Sequence, residues 1–478
     1  MFKIFNKPMI QAFFATVCLY TLDGYADTWN PNPATTIPTS STSNSPSVFS
    51  SGDSSGDFLA TWLDTATGYP YYSIYNHNTS LWGTPTNLGS ARGNSGSMVF
   101  SAFDSSTGNY LATWQNGNST TPNNGPFYSL YSGGVWTSPA SIAGISSNIT
   151  SNVYCSSDSN GHFLATWCAP NLPNSPYFAI YTEGSPGSWG IVTSIASNAG
   201  GDVVSSYDSS TGNFLVTWET GGFGIYSVVD LSSSGQFIAT PIIPSANPLS
   251  KVFSSCDSQG NFLVTWADQN NSTATYSIYD SKTDLWSTPV SIASSATNGD
   301  VTSSFDSSTG NFLITWKDTL TNTPYYSIYN PNASPEYTAQ SQVPPSSSIF
   351  ITGDIFSSCY PASGTFLVTF ADSNTFPYYT FYTETLPPSP IQAPGNFQGK
   401  QKINNFGVVS ERYNALSWEL SSGAESYRLY RNGTLIARLG GNSTSYNDHN
   451  QPKAAQIYTL TAVGTGGAVA SATLSVGK

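Results

Sequence analysis

Charge is what this sequence has least of. Only 9% of its 478 residues are Asp, Glu, Lys or Arg, against about 25% in ordinary soluble domains. Cations are the scarcer kind, 14 against 27 acids, and the chain holds just three His, five Cys and three Met. A long helical protein would be rich in Ala, Glu, Lys, Leu and Arg, and this chain is not. Neither Cys-x-x-Cys nor a Cys/His spacing suited to zinc occurs. What the chain does have is 12 Trp, 29 Tyr and 26 Phe among abundant Ser, Thr, Asn and Gly. So many aromatics can fill a core, which excludes disorder. The expected fold is all-β, its solvated faces built from hydroxyls and amides.

Lys3 and Lys7 precede the apolar stretch Phe13 to Tyr20, and Gly24-Tyr25-Ala26 offers small residues before Asp27. This pattern reads as a signal peptide, residues 1–26, and implies export to the medium or the cell surface. Ala15-Thr16-Val17 before Cys18 is a poor lipobox. No later window approaches the 18 or so apolar residues of a membrane-spanning helix. Cys155 and Cys168 flank the turn Asp158-Ser159-Asn160-Gly161, and pairing about it sets Cys155 opposite Leu164. That separates the cysteines, and free, mostly buried thiols are expected.

A phrase recurs. Asp-Ser-Ser-Thr-Gly-Asn-Phe-Leu-Val-Thr-Trp, 208–218, returns six more times in variant form, its last aromatic at Trp62, Trp114, Trp167, Trp218, Trp266, Trp316 and Phe370. Spacings of 48 to 54 residues leave no gap, so there are seven units. Each reads as four short strands, and the whole predicts a seven-bladed β-propeller over 27–386. The second strand is apolar on both faces, as blade stacking requires. The first is rich in small residues, such as Ser254-Ser255 and Ser303-Ser304, and suits the crowded axis. Outer strands are marked by Trp82, Trp136, Trp189, Phe237, Trp286 and Tyr337. The seventh unit has none, and Asp27-Thr28-Trp29-Asn30-Pro31 near the N-terminus supplies the missing strand, which closes the ring. Tyr and Phe pairs opening the third strands, such as Tyr71-Tyr72 and Tyr325-Tyr326, are expected to pack between blades.

A Pro-rich linker, 387–393, separates these units from residues 394–478, which alternate apolar and polar residues in about seven short strands. Trp418, Tyr427-Arg428-Leu429-Tyr430-Arg431 and Tyr458-Thr459-Leu460-Thr461-Ala462-Val463 resemble a fibronectin type III domain, with a long first connection from Lys400 to Tyr413. The resemblance implies a spacer or adhesion module. Charge divides at the same place. Residues 27–387 hold four Lys or Arg against 22 Asp or Glu, net −18, and 388–478 hold eight against four, net +4. The first part is expected to repel nucleic acid and anionic membranes.

Ser281-Lys282-Thr283-Asp284-Leu285-Trp286 looks like a worn Asp-box, and the order of strands resembles the sialidase-like propellers, where the box is structural. Sialidase chemistry holds a carboxylate with three guanidinium groups. Residues 27–387 contain one Arg, Arg92, which speaks against that activity. Asp53, Asp104, Asp158, Asp208, Asp257 and Asp306 open the first turns, one carboxylate per loop, which fits an Asx turn better than a calcium loop. Calcium is the one cofactor the pattern leaves open.

The opposite rim carries Asp64, Asp268, Asp318 and Asp372, with Glu219 nearby, just beyond the marker strand. Asp202, Asp300 and Asp354 enter the inner strand close to the axis. These eight are the candidate ligand-binding residues, an electronegative mouth for a cation or a hydroxyl-rich ligand, set against the plainer reading as solvated turn caps. No catalytic residue is singled out, although a pair among them is conceivable for glycoside hydrolysis. The expected function is recognition of a glycan or protein ligand by a monomer, the alternatives being a carbohydrate-active enzyme and an adhesive surface protein.

Overall fold

The computed structural model describes residues 28–477 other than 39–46, 118–124, 143–148, 171–173, 185–186, 232–235, 238–241, 245, 249–250, 258, 293–298, 332–335, 345–349, 361–363, 374–375, 385–392, 423 and 465–468. The expected signal segment, 1–26, lies outside the described residues. Contacts divide the chain into two units, Met1–Thr385 and Leu386–Lys478. Both are all-β, and no helix occurs among the described residues.

The first unit contains, among the described residues, seven antiparallel sheets. The main path of the first six follows the order in the sequence. In the fifth, Phe253–Cys256, Asn261–Ala267, Ala274–Asp280 and Leu285–Trp286 pair successively. Inner strands of successive sheets are neighbours, and the last, Phe356–Tyr360, lies beside both Val301–Asp306 and Val48–Gly52, so the series closes into a ring. Thr28–Thr36 pairs with Pro377–Thr383, Trp29 opposite Tyr382, and completes the seventh sheet as its outer strand. An edge that would otherwise be open is thereby covered.

Two rings of contacts hold neighbouring sheets together. In the first, the Thr before each marker aromatic donates its hydroxyl to the next inner strand: Thr61 to Val99 O, Thr113 to Val153 O, Thr166 to Val203 O, Thr217 to Val252 O, Thr265 to Val301 O and Thr369 to Val48 O, at 2.6–2.8 Å. In the sixth sheet Thr302 pairs with Thr315 and donates to Ile355 O instead. All these hydroxyls are buried. In the second ring, third-strand aromatics meet the outer aromatic of the next sheet: Tyr72 with Trp136, Tyr128 with Trp189, Tyr226 with Trp286, Tyr276 with Tyr337, Tyr326 with Trp29 and Tyr379 with Trp82. These tyrosines are spent on packing between sheets, as the sequence leads one to expect. The marker strands themselves are buried on both faces.

Cys155, Cys168, Cys256 and Cys359 are free. One register differs from expectation: Cys155 faces Ala165, not Leu164. The turn takes one residue more than a symmetric hairpin, since Asp158 N–H bonds to His162 O and the ladder begins at Ser157↔Phe163.

The second unit has two sheets, one of Gly395–Asn405, Ser410–Glu419 and Ser445–Asp448, the other of Thr434–Gly440, Ala424–Arg431, Gln456–Gly464 and Val469–Val476. Trp418, Tyr427, Leu429, Tyr458 and Leu460 form its core. Asn432 and Gly433, both at positive φ, make the tight turn their sequence predicts. The stretch from Lys400 to Tyr413 is no loose connection. It continues as a paired hairpin up to Asn405↔Ser410.

Candidate functional site: the axis of the ring

Because every inner strand runs the same way along the axis, equivalent repeat positions form layers. The residue entering each strand is Ser47, Met98, Asn152, Asp202, Lys251, Asp300 or Asp354. Three of the candidate carboxylates meet here around one cation. Lys251 Nζ lies 2.5 Å from Asp300 Oδ2, 3.4 Å from Asp202 Oδ2 and 3.5 Å from Asp354 Oδ2. Asp202 also accepts from Asn152 N–H, Asn152 Nδ2 and Tyr154 Oη, each at 2.9 Å.

The electrostatics follow from burial. Asp300, 3% exposed, has its carboxyl pushed up to about 8, by desolvation first and then by the adjacent Asp354 charge, which together outweigh Lys251. Burial opposes the ammonium of Lys251, but Asp300, Tyr154, Asp354 and Asp202 hold it charged well above the ordinary lysine range. Desolvation, with Asp202 beside it, raises the Tyr154 phenol, which stays a donor. One ammonium and one shared proton thus offset most of three carboxylates.

The next layer is apolar. Phe49, Phe100, Tyr154, Phe253 and Phe356 gather with Met98 and Val204 across the axis, with ring centroids 3.9–6.2 Å apart. Beyond it lies a layer of hydroxyls. Ser50 with Ser358, Ser51 with Ser101, Ser156 with Ser205, Ser206 with Ser254, Ser255 with Ser303 and Ser304 with Ser357 bond between neighbouring strands at 2.6–2.8 Å. They line a cavity of about 520 Å³ with Phe49 on its wall. A hydroxyl pair uses one of its two hydrogens, so the ring keeps donors as well as lone pairs for another partner. This cavity is at the opposite end of the strands from the carboxylates.

The other five candidates are not brought to the axis cluster. Asp64 accepts from the Ala66 and Thr67 amides, Asp268 from Asn270 and Asn271, Asp318 from Leu320 and Thr321, and Asp372 from Phe376. Glu219 accepts from Gly222 N–H at 2.6 Å. Each cancels the unpaired amides of its own tight turn. The first-turn aspartates do the same, and Asp104 also accepts from Gly161 N–H and Ser157 Oγ of the next sheet, at 2.8 and 2.9 Å.

Lys251 and the serine cavity are the site features not anticipated as such. Lys251 was legible as a break in the repeat, a cation where neighbouring units have Gly-Asp.

Among the described residues no group of three or more His, Cys, Asp or Glu is arranged to hold a metal ion. The three His are each beside a different carboxylate: His77 at Asp57, His162 at Asp158 and His449 at Glu411. Arg92 lies over the Tyr69 ring, 5.2 Å from its centroid.

No protein-family model matches the chain, and no curated protein matches it. Solved structures do. A fungal alcohol oxidase of the AA5 family, in complex with copper, aligns over 95% of this chain and 100% of its own with a TM-score of 0.51 and 12% identity. The NanB sialidase from Streptococcus pneumoniae aligns over 74% of this chain and 71% of its own, TM-score 0.45, identity 13%. The Aleuria aurantia lectin aligns over 64% and 98%, TM-score 0.40, identity 10%. At such identities likeness speaks for the fold alone, an all-β assembly of antiparallel sheets.

Proposed function

We propose that the chain is an exported, monomeric binding protein, a seven-bladed β-propeller joined to a fibronectin type III module, that recognises a hydroxyl-rich ligand such as a glycan. The observation carrying this reading is the serine-lined axial cavity of about 520 Å³. Paired hydroxyls beside an aromatic ring match a sugar, which offers hydroxyls at its rim and C–H groups on its faces. Its lining holds one carboxylate, Asp257, and no cation, which fits a neutral ligand better than an anion. Arg92, the one Arg of residues 27–387, is engaged with Tyr69 and supplies no carboxylate clamp.

The carboxylate end supports an enzyme less well. Glycoside hydrolysis needs two carboxyl groups about 5 to 9.5 Å apart with substrate between them. Asp300 and Asp354 are instead hydrogen-bonded to each other and share Lys251. Asp354, its side chain 21% exposed, is the member of that cluster a ligand or calcium ion would reach first.

A glycan array probed with the full chain, with and without calcium, tests the reading beside a hydrolase screen. Glycan binding that falls at least tenfold in Ser206→Val/Ser255→Val, and not in Asp354→Asn, supports the serine cavity. The reverse pattern moves the site to the carboxylate end. Silence on the array refutes glycan recognition, and turnover in the screen refutes a purely binding role.

A further inference from the structure

The second unit ends one hairpin in an apolar tip. Strands Gly395–Asn405 and Ser410–Glu419 are joined by Phe406-Gly407-Val408-Val409, closed by Phe406 N–H donating to Val409 O at 2.8 Å, with Gly407 at φ +84°. The core reaches Leu416 and Asn414, which are buried, and beyond them the hairpin is open to solvent. Ile403, Phe406 and Val409 are exposed, and Val408 is 100% exposed. Turns ordinarily carry Gly, Asn, Asp or Ser, so three large apolar residues at one tip call for a partner.

Charge identifies that partner. Lys400, Lys402 and Arg412 lie on the same two strands, all exposed, and among the described residues none forms an ion pair. The nearest acid, Glu411, accepts from Asn450 N–H and lies 2.9 Å from His449 Nδ1. Arg412 is opposite Ile403 and Lys402 opposite Tyr413. At about 3.3 Å per residue Arg412 and Lys402 stand roughly 10 to 13 Å behind the turn and Lys400 roughly 20 Å. A bilayer presents the same sequence of layers, hydrocarbon beneath a shelf of phosphates, and interfacial segments bury apolar groups about 5 to 10 Å deep.

We propose that this hairpin docks on an anionic lipid bilayer, with Phe406, Val408 and Val409 entering the interface and Lys400, Lys402 and Arg412 meeting the headgroups. Polybasic segments gain affinity from anionic lipid in this way, and apolar residues fix the depth. The net +4 of residues 388–478 favours such a surface, whereas the −18 of the preceding residues opposes it.

The test is flotation of the full chain with vesicles of phosphatidylcholine alone and of phosphatidylcholine with phosphatidylserine. The chain should float with the anionic vesicles, less in high salt. Phe406→Ser/Val408→Asp should lower that binding at least tenfold with an unchanged melting temperature. Lys400→Gln/Lys402→Gln should abolish the preference for anionic lipid, a readout that survives even if the tip variant folds poorly. Failure of the parent chain to float with anionic vesicles overturns the proposal, as does undiminished flotation of the tip variant. Self-association that disappears on tip substitution, without vesicle binding, assigns the tip to a protein contact and equally overturns it.

Discussion

The hydroxyl of Thr369 donates to the carbonyl of Val48 at 2.8 Å, joining residues 321 apart in the chain. It is the closing member of the ring of Thr bonds, and both groups are buried. Thr→Val keeps the shape but leaves the carbonyl unpaired, which costs about 1 to 3 kcal/mol. Thr369→Val and Thr217→Val should each lower stability by that amount in urea denaturation. Equal midpoints for both variants and the parent would mean the ring contributes nothing.

Asp300 gives stability a pH dependence of known sign. Its carboxyl is pushed up to about 8 in the folded chain, against about 3.9 when unfolded. A raised carboxylate favours folding when protonated. Its contribution is complete below about pH 4, declines as pH rises toward 8 and is flat above, with a slope of at most ~1.4 kcal/mol per pH unit. Asp300→Asn stays neutral throughout. The stability difference between parent and variant should therefore shift against the parent between pH 4 and 8, and a constant difference would contradict the assignment.

Asp104 acts in the opposite sense. Burial alone would raise its carboxyl, but hydrogen bonds from Ser106, Gly161, Ser157 and Thr107 outweigh it and lower it. Its contribution is present above the unfolded value and is lost as pH falls below about 4. Asp104→Ala should cost about 2 to 3 kcal/mol at neutral pH, because it strands the Gly161 amide between two sheets. The penalty should shrink in acid, and a penalty independent of pH would assign the loss to packing.

The repeat was readable because blade-like units need the same aromatic at the same place, so Trp62 through Phe370 announced themselves by spacing. Ring closure by Trp29 was readable for the same reason, as a marker missing at one end and present at the other. The site was less legible. Asp64 and Asp202 look alike in sequence, since each sits at a strand boundary. Which one caps a turn and which one meets a lysine from the next unit depends on radius from the axis, a quantity the chain does not spell out. The serine pairs were seen as small residues suited to crowding. Their hydroxyls became a cavity wall only once neighbouring strands were brought together.

Lys251 is the only cation held within a set of three carboxylates among the described residues, and removing it should expose what the set can bind. Lys251→Met keeps most of the side-chain volume while leaving Asp202, Asp300 and Asp354 without a counter-charge. Breaking such a buried pair from one side costs about 3 to 5 kcal/mol. Protonation or a divalent cation would relieve the repulsion, and oxygen ligands from several carboxylates are what calcium prefers. Calcium should therefore raise the melting temperature of the variant by mass action, more than it raises that of the parent chain, in which the ammonium already fills the position. Lowering the pH toward 5 should stabilise the variant in the same direction without calcium. A variant as stable as the parent, indifferent to both calcium and acid, would show that the three carboxylates do not rely on Lys251.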